Sequence, residues 1–94
     1  NEIECLYSEN KSTYIHSKSN RSYLIDNSLE YWQDSLDPEI FFRVNRTFII
    51  HVSAIKDIVA YTNSRLKLVL NSFNEIEIIV SRERVKEFKK WIDR

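Results

Sequence analysis

Apolar and polar residues alternate at a period of two over most of the chain, the spacing of strands that bury one face. Ile3, Cys5 and Tyr7 share one face, and Tyr14 and His16 oppose Ile15. Leu66, Leu68 and Leu70 alternate with Arg65, Lys67 and Val69; Ile76, Ile78 and Val80 alternate with Glu75, Glu77 and Ile79. Polar turns at 9–12, 17–22, 61–64 and 71–74 separate these runs, so the pattern predicts several short antiparallel strands joined by hairpins. Two segments depart from it. Over 27–36, Leu29, Trp32 and Leu36 recur at helical spacing. Asn27 is placed to cap that helix, with Glu30 completing a capping box, and Asp37-Pro38 ends it. Over 81–93, Val85, Phe88 and Ile92 form a stripe widened by Trp91, with Ser81 as N-cap and Glu83 complementing the helix dipole. Trp32 and Trp91 read as core anchors, and Lys86, Lys89 and Lys90 as a solvated helix face. The expected fold is mainly β, with one short internal helix and a C-terminal helix, in one domain spanning residues 1–94.

Composition narrows the function. With 94 residues, 43% of them hydrophobic, the chain can build one modest core. It begins at Asn1 without a signal-peptide pattern, which suggests a piece of a longer protein. No apolar run approaches the length of a membrane span, so no membrane association is expected. The single cysteine, Cys5, rules out an internal disulfide and fits a reducing cytoplasm. It reads as a small buried strand residue, not a reactive thiol. The absence of glycine removes phosphate-binding loops, dinucleotide fingerprints and nucleophile elbows, all of which need backbone that glycine alone tolerates. His16 and His51 stand far apart, no ligand pair has metal spacing, and no nucleophile accompanies a base. No catalytic residue, metal or cofactor is expected, and an enzyme is disfavoured.

Zero net charge at first counts against nucleic acid. Its distribution reverses that. Residues 1–40 hold three bases (Lys11, Lys18, Arg21) against eight acids, whereas residues 41–94 hold eleven bases against six acids. A neutral domain polarised in this way can present a basic face to phosphate.

The strongest chemical signal lies in Phe41-Phe42-Arg43-Val44-Asn45-Arg46-Thr47-Phe48-Ile49-Ile50-His51-Val52 and Val80-Ser81-Arg82-Glu83-Arg84-Val85. Arginine and asparagine interrupt apolar runs there, at points where regular structure should break. Guanidinium and carboxamide groups can pair with base edges through two hydrogen bonds at once, which makes nucleic acid the leading candidate partner. These segments resemble the LytTR family of bacterial DNA-binding domains. The pattern F-x-R-x-[NH]-[RN]-[ST]-[FY]-[IV]-[IV] is met by Phe41 to Ile50, an isoleucine follows at Ile55, and [IV]-S-R at Val80 to Arg82 precedes the last helix. The resemblance covers essentially the whole chain. It departs at His51, where the family most often has asparagine, and in the absence of glycine from the turns.

The resemblance implies an elongated, multi-sheet β arrangement that meets DNA through loops. It also implies a bacterial two-component response regulator, with a receiver domain on the same full-length chain. Promoter repeats would be bound by a dimer, and the isolated domain would be a monomer. On residues alone, Arg43, Asn45 and Arg46 divide evenly between a solvated strand face with a turn asparagine and a DNA contact; the resemblance favours contact. Arg82 and Arg84 flank the last helix, where backbone amides attract phosphate, although Arg82 could simply pair with Glu83. Lys11 and Ser12, in the first hairpin turn, match a third DNA-facing loop of the family. Arg65 is a weaker phosphate candidate. His16 reads as a surface or cross-strand partner and His51 as hydrogen-bonded and half-buried. The rival reading is a protein-interaction module using the basic face or an exposed strand edge such as Leu66 to Leu70.

Overall fold

A computed structural model describes residues 2–93. Strands β1 (Ile3–Glu9), β2 (Ser12–Ser17), β3 (Ser22–Ile25), β4 (Phe41–Arg43) and β5 (Phe48–His51) form a five-stranded antiparallel sheet in the order β3-β2-β1-β5-β4. Strands β6 (Ile55–Tyr61), β7 (Arg65–Leu70) and β8 (Ile78–Val80) form a second sheet, also antiparallel and in sequence order. Helix α1 (Leu29–Ser35) lies between β3 and β4 in the chain, and α2 (Val85–Ile92) follows β8 after a 3-10 turn at Arg82–Arg84. The domain measures 33 × 26 × 25 Å, a modest elongation.

Two cores follow from the alternation in β1 and β5. Cys5, Tyr7, Phe48 and Ile50 face the second sheet and α2, packing with Leu68, Leu70, Phe73, Ile78, Val80, Phe88 and Trp91. Leu6 and Ile49 face the other way, under Leu29 of α1 and Phe41. The five-stranded sheet is thus buried on both faces at its centre. α1 covers one face, and the second sheet with α2 covers the other.

Several expectations change. Ile3 does not share a face with Cys5 and Tyr7: the ladder with β2 slips between Ile3 and Cys5, and Ile3 packs on the α1 side. The extra residue is Glu4, only 1% exposed, whose Oε1 accepts the backbone N–H groups of Ser72 (3.3 Å) and Phe73 (3.2 Å). A bulge of this kind turns a polar side chain inward at the point where a loop of the second sheet needs an acceptor. The run Leu66 to Leu70 is not an edge, because β7 is the central strand of its sheet; the edges are β6 and β8. The alternation over 75–80 becomes strand only from Ile78.

The helix caps also shift by one residue or lose their side-chain bond. Ser28, not Asn27, caps α1, its Oγ accepting Tyr31 N–H at 3.3 Å. Asn27 instead takes a left-handed φ of 74°. Ser81 precedes the 3-10 turn without a side-chain cap, and its hydroxyl donates to Val44 O at 3.4 Å. His16 is buried, 2% exposed, and is a cross-strand partner, not a surface residue. Its ring nitrogens meet Ser22 Oγ at 2.8 Å, Asn20 Oδ1 at 3.0 Å and Ser72 Oγ at 3.2 Å. Cys5 is fully buried, and burial followed by the Glu4 charge pushes its thiol well above the ordinary range. That suits an inert core residue.

Left-handed turns are made without glycine. Asn10 (φ 53°), Lys11 (67°), Asn20 (65°), Asn27, Asn63 (57°) and Ser64 (61°) supply the positive φ values. Asparagine tolerates this region better than other side chains because its short amide bonds locally, which explains its choice at most of these positions.

Candidate nucleic-acid interface

Three loops and one helix end come together on one face. The β1–β2 turn carries Lys11 and Ser12, the β4–β5 bend carries Asn45 and Arg46, the β6–β7 turn carries Asn63 and Arg65, and the β8–α2 junction carries Arg82, Glu83 and Arg84. Three open depressions, of about 480, 460 and 460 Å³, run across this face. The first is lined by Lys11, Ser12, Asp26, Glu30, Arg43 and Arg46. The second shares Arg43 and Arg46 with it and adds Gln33, Asn45, Ser81 and Arg84. The third shares Asn45 and Ser81 with the second and adds Asn63, Arg65 and Arg82. All eight residues singled out in the sequence therefore line one continuous surface.

Their side chains divide into two groups. Arg43, expected to point outward, is folded back: Nε donates to Asn45 O at 3.1 Å and an Nη to Arg46 O. Its other Nη reaches Glu30 Oε2 and Gln33 Oε1, each at 3.1 Å. Asn45 is also turned inward. Its Oδ1 accepts Thr47 N–H (2.8 Å) and hydroxyl (3.2 Å), making the bend, and its amide donates to Ile79 O at 2.8 Å. This is the turn role that asparagine performs through its own side chain.

Arg84 donates from Nε to Arg43 O at 3.1 Å, pairs with Glu87 at 2.9 Å and lies 4.7 Å over the Phe42 ring. It fastens the β8–α2 junction to β4. Arg65 donates to Thr62 O (3.0 Å) and Thr62 Oγ1 (2.9 Å) and lies 5.0 Å over Tyr61, closing its own turn.

Lys11, Arg46 and Arg82 are exposed and, among the described residues, carry no side-chain hydrogen bond or ion pair. Each comes from a different loop, and each loop is fixed from behind. Lys11 sits in a two-residue turn closed by the Glu9–Ser12 pair. Arg46 sits in the bend held by Arg43 and Asn45. Arg82 follows Ser81, whose backbone N–H donates to Val44 O at 3.0 Å. Three cations on preorganised loops present positive charge without having to break internal pairs first.

Asp26, Glu30 and Glu83 also border the face. A bond from its own backbone N–H, then Arg43, holds the Glu30 carboxyl below its ordinary value, so it stays charged beside Arg43. The involvement of α1 through Glu30 and Gln33 has no counterpart in the sequence pattern. Their i, i+3 spacing marks one polar helix face, but nothing local in the chain says that Arg43 meets it.

Among the described residues, no group of three or more His, Cys, Asp or Glu side chains converges as a metal site would require. No described helix is long and apolar enough to cross a membrane.

A mainly β domain that presents cations from several loops on one face offers phosphate a positively charged surface without a recognition helix. The chain belongs to the LytTr DNA-binding domain family, whose model matches residues 1–93. It is 29% identical over 90 residues to the transcriptional regulatory protein YpdB of Escherichia coli, covering 96% of this chain and 36% of that protein. It is 28% identical over 90 residues to the sensory transduction protein LytT of Bacillus subtilis, covering 95% and 36%. With the transcriptional regulatory protein LytR of Staphylococcus aureus it shares 30% over 83 residues, covering 88% and 32%. The chain thus spans about a third of the length of these relatives. A solved LytTr DNA-binding domain from Bacillus cereus superposes with a TM-score of 0.86 at 25% identity, over 99% of this chain and 83% of that one. The family is defined by DNA binding and not by a reaction, and its fold is the one described above.

Proposed function

We propose that this chain is the sequence-specific, double-stranded-DNA-reading output domain of a bacterial transcriptional response regulator acting in the cytoplasm. Lys11, Ser12, Arg46 and Arg82 meet DNA directly, while Arg43, Asn45, Arg65 and Arg84, each of which already bonds to other groups of the domain, frame the face. The observation that carries this reading is the set of three cations from three loops, unpaired among the described residues and aligned along one continuous surface. Arg46 is assigned the base-reading role because a guanidinium can grip guanine through two hydrogen bonds, worth about 1–3 kcal/mol of discrimination. Lys11 and Arg82 are assigned to phosphate, which positions the domain without reading sequence.

In the longer protein, residues 1–94 form a single domain beside a receiver domain. Two copies then occupy imperfect promoter repeats as a dimer, whereas the isolated domain is a monomer that holds one half-site weakly. Selection from a random duplex pool at low salt supplies the half-site. Arg46→Ala should bind the selected duplex about tenfold or more weakly while losing little on scrambled DNA. Equal binding of the selected duplex by parent and variant would remove Arg46 from the interface and this reading with it.

A further inference from the structure

Arg43 leaves β4 beside the candidate DNA-reading bend, yet its guanidinium is engaged inside the domain. Nε and one Nη hold the carbonyls of Asn45 and Arg46, the two peptide groups that flank the Arg46 side chain. The other Nη is held at 3.1 Å by both Glu30 and Gln33 on α1. Glu30 and Gln33 are three residues apart and so lie on the same face of the helix. Only 15% of the Arg43 side chain is exposed, although Glu30 stands 73% exposed. An acid beside a DNA face repels phosphate, so Glu30 works against overall affinity unless it serves another purpose. A planar fork with fixed donor directions, tied at one end to a helix and at the other to two loop carbonyls, serves such a purpose. It transmits the rigidity of α1 to the bend.

We propose that Arg43 is a positioning residue for base recognition, anchored on α1 by Glu30 and Gln33, and that this clasp sets the direction in which Arg46 leaves the bend. It therefore governs discrimination among DNA sequences more than affinity for DNA in general. The inference rests on the assignment of Arg46 as the base-reading residue.

Two variants of the 94-residue chain test it against the selected half-site duplex and a scrambled duplex of equal length. Arg43→Lys keeps the charge but removes the fork. Glu30→Ala with Gln33→Ala removes both acceptors at two exposed positions on α1, so it reports even where Arg43→Lys fails to fold. Each should lower the ratio of selected to scrambled affinity about tenfold or more, the loss expected when one two-bond base contact is misaligned. In Arg43→Lys the salt dependence should stay as in the parent, since no cation is lost.

In the helix variant, scrambled DNA should bind more tightly because an acid has gone. Charge removal alone would tighten both duplexes alike and leave the ratio unchanged. In the DNA-free protein, the Thr47 amide, bonded to Asn45 Oδ1, should exchange faster in each folded variant, by more than any loss of global stability accounts for. A parental ratio in either folded variant overturns the proposal. If Arg46→Ala is equally without effect, the failure lies in the assignment of Arg46 and not in the clasp.

Discussion

At the scale of single residues, the arginines of this face are alike in sequence and different in role. Arg43, Arg65 and Arg84 have acceptors or aromatic rings within the domain, whereas Arg46 and Arg82 have none among the described residues. His51 is a further case in which context decides. Its Nδ1 accepts the Ser53 N–H at 3.0 Å, capping the 3-10 turn Val52–Ala54, and Phe41 packs edge-on at 5.0 Å. Burial, followed by the charge of Lys18, holds the imidazole below its ordinary value. The unfolded chain therefore binds the His51 proton more readily than the folded one. This contribution to stability is complete above about pH 6.5, the unperturbed value, and is lost as pH falls through the lower, folded value. His51→Asn can still cap Ser53 through its amide oxygen but has no titrating ring. Urea unfolding between about pH 5 and pH 7.5 should show a shallower loss of stability in the variant. Parallel curves for the two proteins would exclude His51 as the source.

Among elements, the first hairpin shows strain and function in one turn. Asn10 and Lys11 both have positive φ, as a two-residue hairpin of this hand requires. A lysine in that region costs about 1–2 kcal/mol of backbone energy. Glycine would avoid that cost but adds about 0.4–1 kcal/mol of unfolded-state freedom. Lys11→Gly should thus leave stability equal or up to about 1.6 kcal/mol higher, while DNA affinity falls. A urea midpoint and a DNA titration on the same sample separate the two effects. If stability and affinity fell together, Lys11 would be a fold residue and its phosphate role would go. The Asn45 bend has the same design: an asparagine builds the turn, and the cation next to it remains available.

For the whole molecule, charge arrangement outweighs net charge. The domain is neutral, and Asp26, Glu30 and Glu83 border the face itself, so binding depends on a few local contacts. With three cations of the face unpaired among the described residues, log affinity against log salt should slope at roughly −3, and Lys11→Ala should reduce that slope by about one on every sequence alike. Such a short contact set makes a single copy weak. A tandem fusion of two copies should bind a duplex carrying two half-sites about 10²–10⁴-fold more tightly than one copy binds a single half-site. Equal affinities at every half-site spacing would argue against cooperation between copies.

The period-two alternation determined by itself that this is a mainly β domain with two helices, because strand faces and helix stripes write their burial directly into local spacing. The arginine- and asparagine-interrupted runs also point to Arg46 and Arg82 as candidate contacts, whereas Lys11, in a hairpin turn, is favoured only through the family resemblance. Tertiary structure alone decided the rest. The bulge at Glu4 reversed the face of Ile3, and pairing with both neighbours put β7 in the centre of its sheet. Folding also brought Glu30 and Gln33, ten or more positions away in the chain, onto Arg43. Which arginine is engaged and which stands free is set by long-range acceptors, and a linear pattern carries no record of where those acceptors will lie.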